Sequence, residues 1–144
     1  MTATIRKMSE HDLIEVGNLC EQLGYPVAAL TLTERFKKLS ELNKHQMFVS
    51  TSENKIAGFI HFELIEDLLE EDMVEVRAIC VDQAFKGEGH GKLLMKAAEN
   101  WSKELGIRSL FLSCHIVRNE AQKFYESNDF RLDRTSHFYR KSLN

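Results

Sequence analysis

The run Val81-Asp82-Gln83-Ala84-Phe85-Lys86-Gly87-Glu88-Gly89-His90-Gly91-Lys92 decides how this chain is to be read. Three of the seven glycines fall within five residues, between an apolar, β-branched stretch (Met73 to Val81) and a helical pattern (Lys92 to Leu105). Glycine tolerates positive φ and lets backbone come close to a ligand. Alternating glycines therefore turn several N–H groups toward one point. The free N–H groups of a helix start, with their partial positive charge, favour an anion there. Lys86 and Lys92 flank that point and add charge.

Two familiar nucleotide patterns do not fit. A dinucleotide fold wants G-x-G-x-x-G, but after Gly87 and Gly89 the third position is Lys92. A phosphate-binding loop of nucleotide hydrolases wants G-x-x-x-x-G-K-[ST], and Gly91-Lys92 is followed by Leu93.

Outward from this loop, the chain alternates strand and helix signals. Ile5 to Lys7 reads as a first strand, and Ser9 with Asp12 opens a helix whose apolar face is Leu13, Val16, Leu19, Cys20 and Leu23. Gly24 stops it. Thr31 with Glu34 reads as a capping box for a second helix, faced by Leu32, Phe36, Leu39 and Leu42. Gln46 to Ser52 and Ile56 to Ile65 form a predicted hairpin around Glu53-Asn54-Lys55. Downstream, Leu94, Ala98, Trp101 and Leu105 share a helix face ended by Gly106. Ser109 to Cys114 predicts a strand, Glu120 to Ser127 a helix, and Phe130 to Leu143 two last strands. The expected fold is α+β, one domain over residues 1–144, a mixed but mostly antiparallel sheet with helices on both faces.

Composition narrows the function. With 43% apolar and 28% charged residues, the chain is an ordinary globular one. Its net charge of −3 and scattered Lys and Arg give no basic block, so nucleic acid is not an expected partner. Neither a signal peptide nor a membrane span of ~20 apolar residues is visible, and a cytoplasmic, membrane-free protein is expected. Cys20, Cys80 and Cys114 lack metal-ligand spacing and read as reduced thiols. No metal is expected.

The segment Lys86-Gly87-Glu88-Gly89-His90-Gly91 resembles the pyrophosphate loop of the GNAT superfamily of N-acetyltransferases, usually Arg/Gln-x-x-Gly-x-Gly/Ala. Asn119-Glu120-Ala121-Gln122-Lys123-Phe124-Tyr125-Glu126, then Asn128-Asp129-Phe130, is similar to that family's Asn-x-x-Ala-x-x-Phe-Tyr-Glu segment and the strand after it. Lys86 replaces the usual Arg or Gln, and Asn128-Asp129 stands where Leu-Gly is common.

The resemblance implies acetyl-coenzyme A as co-substrate and an amine as acceptor. Backbone at Ile79, Cys80 and Val81 would pair with the pantetheine arm, in a strand that usually carries a bulge. Main-chain N–H groups of Lys86, Gly87, Glu88, Gly89, His90, Gly91 and Lys92 would hold the pyrophosphate, with the Glu88 and His90 side chains turned to solvent. Asn119 would bond the cofactor arm and Phe124 pack beside it. Tyr125 would give a proton to the departing thiolate, since an ordinary tyrosine keeps its proton until about pH 10.

An alkylammonium must lose a proton before it attacks. Glu75 is the first candidate for that base, read by simple alternation as sharing a face with Ile79 and Val81; His61 and His115 are alternatives. Direct attack is favoured over an acyl-enzyme, because neither Cys80 nor Cys114 has an activating partner in sequence. The acidic run Glu66 to Asp72 and the region Tyr25 to Phe36 are expected near the acceptor, where acids would attract a cation. Phe138, Tyr139 and Leu143 suggest a homodimer. Rival readings are an acyl-CoA-binding module without turnover and a protein-interaction domain that retains the fold.

Overall fold

Ala3–Lys7 form β1, after which the Ser9 N–H donates to Asp12 Oδ2 at 2.8 Å. That bond turns the chain through a one-turn 3-10 helix, Glu10–Asp12, into α1 (Leu13–Leu23). Asp12 is buried, and Arg6 secures it from β1 with two bonds of 2.8 and 2.9 Å. Gly24, at φ 94°, closes the helix.

The computed structural model describes residues 2–114 and 119–143, with only the backbone at Asn119. It comprises two compact units, Met1–Ser113 and Cys114–Asn144.

In the first unit, α2 (Ala29–Ser40) begins earlier than the Thr31–Glu34 box predicts, with extended Ala28 as its cap. Thr31 is therefore inside the first turn. The β2 (His45–Ser52) and β3 (Lys55–Ile65) hairpin turns on Glu53 and Asn54, both with positive φ. Next come β4 (Met73–Val81), a 3-10 turn at Gln83–Phe85, α3 (His90–Glu104) and β5 (Leu110–Leu112). The sheet order is β1-β2-β3-β4-β5, antiparallel throughout except that β4 and β5 are parallel. It is the mixed, mostly antiparallel α+β sheet expected.

Each face carries helices. On one, Val16, Leu19 and Cys20 of α1 pack with Val49, Phe59 and Cys80. Burying each of the larger of these is worth about 1.5–3 kcal/mol. On the other, α3 lies against β2, β3 and β4; Trp101 meets Phe62 with ring centroids 5.5 Å apart. Gly58 is needed for this closeness: a Cβ there would stand 2.8 Å from Cys80 O and 3.0 Å from Leu94 Cδ1.

The second unit holds α4 (Asn119–Ser127). The strands expected over Phe130 to Leu143 are not formed among the described residues, and Leu132, Phe138, Tyr139 and Leu143 are exposed. A partner's hydrogen bonds make a strand, and this segment joins no ladder.

Candidate active site

The glycine loop has the predicted character. Gly87 and Gly89 both take φ 86°, and α3 starts directly after Gly89. A Cβ built on either glycine meets nothing within 4 Å, so backbone conformation and not crowding demands glycine there. The turn before them is tied down. Asp82 N–H donates to Ala57 O at 2.7 Å, and Asp82 Oδ1 accepts from Ala84 N–H at 3.0 Å. The first bond of α3 runs from Leu93 N–H to Gly89 O. Hence the N–H groups of Gly87 to Lys92 have no acceptor among the described residues. Lys86 and Lys92 are exposed, and neither makes an ion pair there.

Glu88 and His90 depart from expectation. His90 is 1% exposed, because it shares the inward face of α3 with Leu94 and Ala98, one helical repeat apart. Its ring meets Phe85 edge-on at 5.9 Å, and both ring nitrogens are buried without a hydrogen bond. Glu88 also turns inward, accepting from Ser52 Oγ at 3.4 Å and lying 3.8 Å from His90 Nε2. Only the backbone of these two residues stays available to an anion.

Strand β4 leads into this loop. On its β5 side only Val74 to Val76 are paired, with Leu110 to Leu112. From Arg77 to Val81 no strand of the first unit joins that edge. On the β3 side, His61 pairs with Ala78 and Phe62 with Val76, so Arg77 is an extra residue. That is a β-bulge, the feature the resemblance implied.

The bulge corrects one expectation. It reverses the alternation, so Glu75 does not share a face with Ile79 and Val81. Glu75 lies on the α1 face with Ala78 and Cys80, while Ile79 and Val81 face α3. Glu75 is half-buried, and its Oε1 accepts from Arg77 Nη1 at 2.9 Å. Arg77 Nε also lies 3.6 Å from Glu63 Oε1.

Glu63 is the register partner of both Glu75 and His45. His45 Nε2 lies 3.2 Å from Glu63 Oε2, and its Nδ1 is 2.9 Å from His61 Nε2. Burial, then the neighbouring His45 and Arg77, push His61 down to about 4. Of this row, the sequence reading had only Glu75 and His61. Cross-strand partners 16 and 14 residues away (His45–His61 and Glu63–Arg77) follow no helical or strand period within one segment.

Cys80 does not suit a nucleophile: it is in the core, and its Sγ donates to Leu19 O at 3.4 Å. Burial pushes the Cys20 thiol up. Among the described residues no group of His, Cys, Asp or Glu could hold a metal, and no helix is long and apolar enough to cross a membrane.

The second unit carries the other expected residues. In α4 the Phe124 and Tyr125 rings meet edge-on at 5.7 Å, and Tyr125 meets Phe130 at 6.0 Å. Asn128 Nδ2 donates to Phe124 O at 2.9 Å, and Asp129 takes φ 68°, the conformation that glycine supplies in the usual Leu-Gly pair. The Asn119 side chain, and all of His115, lie outside the described residues.

The family model for the acetyltransferase (GNAT) family matches residues 12–130. No curated protein matches. Among solved structures, the aminoglycoside N-acetyltransferase AAC(6')-Iy in complex with CoA is 20% identical at a TM-score of 0.89, covering 99% of this chain and 96% of that one. An aminoglycoside acetyltransferase from an uncultured soil metagenomic sample is 25% identical at TM-score 0.82, covering 98% and 97%. A GNAT family acetyltransferase of Staphylococcus aureus is 22% identical at TM-score 0.76, covering 99% and 100%.

Proposed function

Because the chain belongs to the GNAT acetyltransferase family, we propose that it transfers the acetyl group of acetyl-coenzyme A to a primary amine by direct attack. The observation that carries this reading is the run of N–H groups from Gly87 to Lys92 that have no acceptor among the described residues, directly after β4. A diphosphate satisfies the N–H groups, with Lys86 and Lys92 beside it. The amides of the pantetheine arm then pair along the end of β4, as an added strand would. This draws the thioester back toward the bulge at Arg77 and Ala78.

Holding amine and thioester together supplies much of the rate gain, of the order of ~7–11 kcal/mol in favourable systems. Glu75, oriented by Arg77, is the carboxylate assigned to the acceptor: it draws the ammonium in. Attack by the lone pair of the neutral amine on the thioester carbon expels the thiolate, which takes a proton from the Tyr125 hydroxyl, and the proton shed by the new amide nitrogen restores that hydroxyl. Asn119 and Phe124 hold the cofactor arm. Polycationic amines are the first acceptors to try, since two of the similar structures are named as aminoglycoside acetyltransferases.

Calorimetry with coenzyme A and acetyl-coenzyme A, followed by an amine panel read by thiol release, tests the proposal. Binding with release in the presence of an amine supports it. Binding without release to any amine favours an acyl-CoA-binding module, and no binding of either ligand refutes it.

A further inference from the structure

On the acceptor face, the row His61, His45, Glu63 forms an unbroken set of polar contacts that the scheme above does not use. His61 is the register partner of Ala78, the residue beside the bulge to which the cofactor arm leads. Paired Cα atoms in such a ladder are about 4.5–5.5 Å apart. His61 therefore stands one strand in from the proposed thioester, on the same face as Glu75. Glu75 already has a guanidinium at 2.9 Å. The His61 ring, in contrast, uses only Nε2, and its Nδ1 has no hydrogen bond among the described residues.

We propose that His61 is a further catalytic residue, the acceptor of the proton lost by the attacking amine, with His45 and Glu63 as positioning residues behind it. This rests on the acetyl-transfer reading above. With His45 neutral and its Nε2 3.2 Å from the Glu63 carboxylate, the proton of His45 sits on Nε2, so His61 Nε2–H donates to His45 Nδ1. The reverse tautomer of a neutral His45 would set a lone pair against a carboxylate. His61 then presents its Nδ1 lone pair outward.

As the amine's N–H bond breaks, the proton goes to His61 Nδ1. The Nε2 proton of His61 passes to His45 Nδ1, which leaves His45 an imidazolium 3.2 Å from the Glu63 carboxylate. The freed nitrogen lone pair attacks the thioester carbon, and the coenzyme A thiolate leaves. The charged groups facing this row are His45 from β2, Glu63 from β3, and Glu75 and Arg77 from β4; Lys44 and Glu66, paired at 2.6 Å, close its end. Burial, first, keeps the His61 ring neutral, and so able to accept a proton, at neutral pH.

Two measurements test this. Long-range 15N–1H NMR of the imidazole rings in the full-length protein at neutral pH should find the His61 proton on Nε2; a proton on Nδ1 overturns the relay, whatever the enzyme's activity. In thiol-release assays, His61→Gln should lower kcat at least ~10-fold for an alkylamine, whose conjugate acid has a pKa near ~10, but far less for weakly basic trifluoroethylamine. His45→Gln should show the same selectivity to a smaller degree, and acetyl-coenzyme A affinity should hold in both. Equal losses for the two amines would mark a structural role and refute the proposal. If the unmodified protein does not bind acetyl-coenzyme A, the acetyl-transfer reading itself fails.

Discussion

Glu75 and Ile79, four residues apart on β4, lie on opposite faces of the sheet because Arg77 enters the strand without a partner on β3. Without that extra residue, simple alternation would put both on one face. The bulge therefore sends Glu75 to the α1 face while Ile79 packs toward α3.

Deleting Arg77 should restore plain alternation at the expense of the core. Val74 and Val76, 0% and 5% exposed, would rotate away from the α3 face. Losing two buried valines is expected to destabilise by about 3–6 kcal/mol. Chemical denaturation checks this, and a change under 1 kcal/mol would argue against the observed register (roughly the size of an ordinary surface change).

Gly89 should tolerate alanine poorly in binding and only mildly in folding. An L residue at its φ of 86° costs about 1–2 kcal/mol, with no steric clash to add. If the loop straightens to escape that strain, coenzyme A affinity falls about 5–30-fold, whereas the melting temperature moves a few degrees. Calorimetry and thermal melts on Gly89→Ala separate the two effects.

Asp12 gives a pH prediction. Its bonds from Arg6, first, and from Ser9 hold its carboxyl below the unfolded value of 3.8, against burial. The stability it contributes is thus fully present above that value, and is lost as pH falls through the lower folded one. Asp12→Asn should cost about 1–3 kcal/mol at neutral pH and flatten the loss of stability below about pH 4. Urea melts across pH 2–7 would show it; an unchanged acid slope would contradict it (the window follows from the shift direction).

Tyr125→Phe removes one hydroxyl from the proposed acid. Turnover should drop about 100-fold or more with coenzyme A affinity unchanged. Full turnover in the variant would assign Tyr125 a packing role beside Phe124 and Phe130.

Much of the architecture was legible in local pattern. The β-branched run Met73 to Val81 coincides with β4, and the alternating glycines mark the loop because positive φ at Gly87 and Gly89 is a local property. Even the inward turn of His90 was present in the sequence, since Leu94 and Ala98 follow it at intervals of four. It was missed by starting α3 at Lys92. Register was not legible. Whether Arg77 pairs or bulges depends on β3, and the contacts from His45 through Glu63 to Arg77 exist only once three strands align. The segment Phe130 to Leu143 shows the converse case, where residues read as strands have no ladder to join.

Backbone amide shifts on titration with coenzyme A reach the central claim most directly. A diphosphate gripped by the start of α3 should move the amide signals of Gly87, Gly89, His90 and Gly91 most, ahead of those of β1 and β2. Shifts that leave these four amides in place, or no shifts at all, would contradict the account.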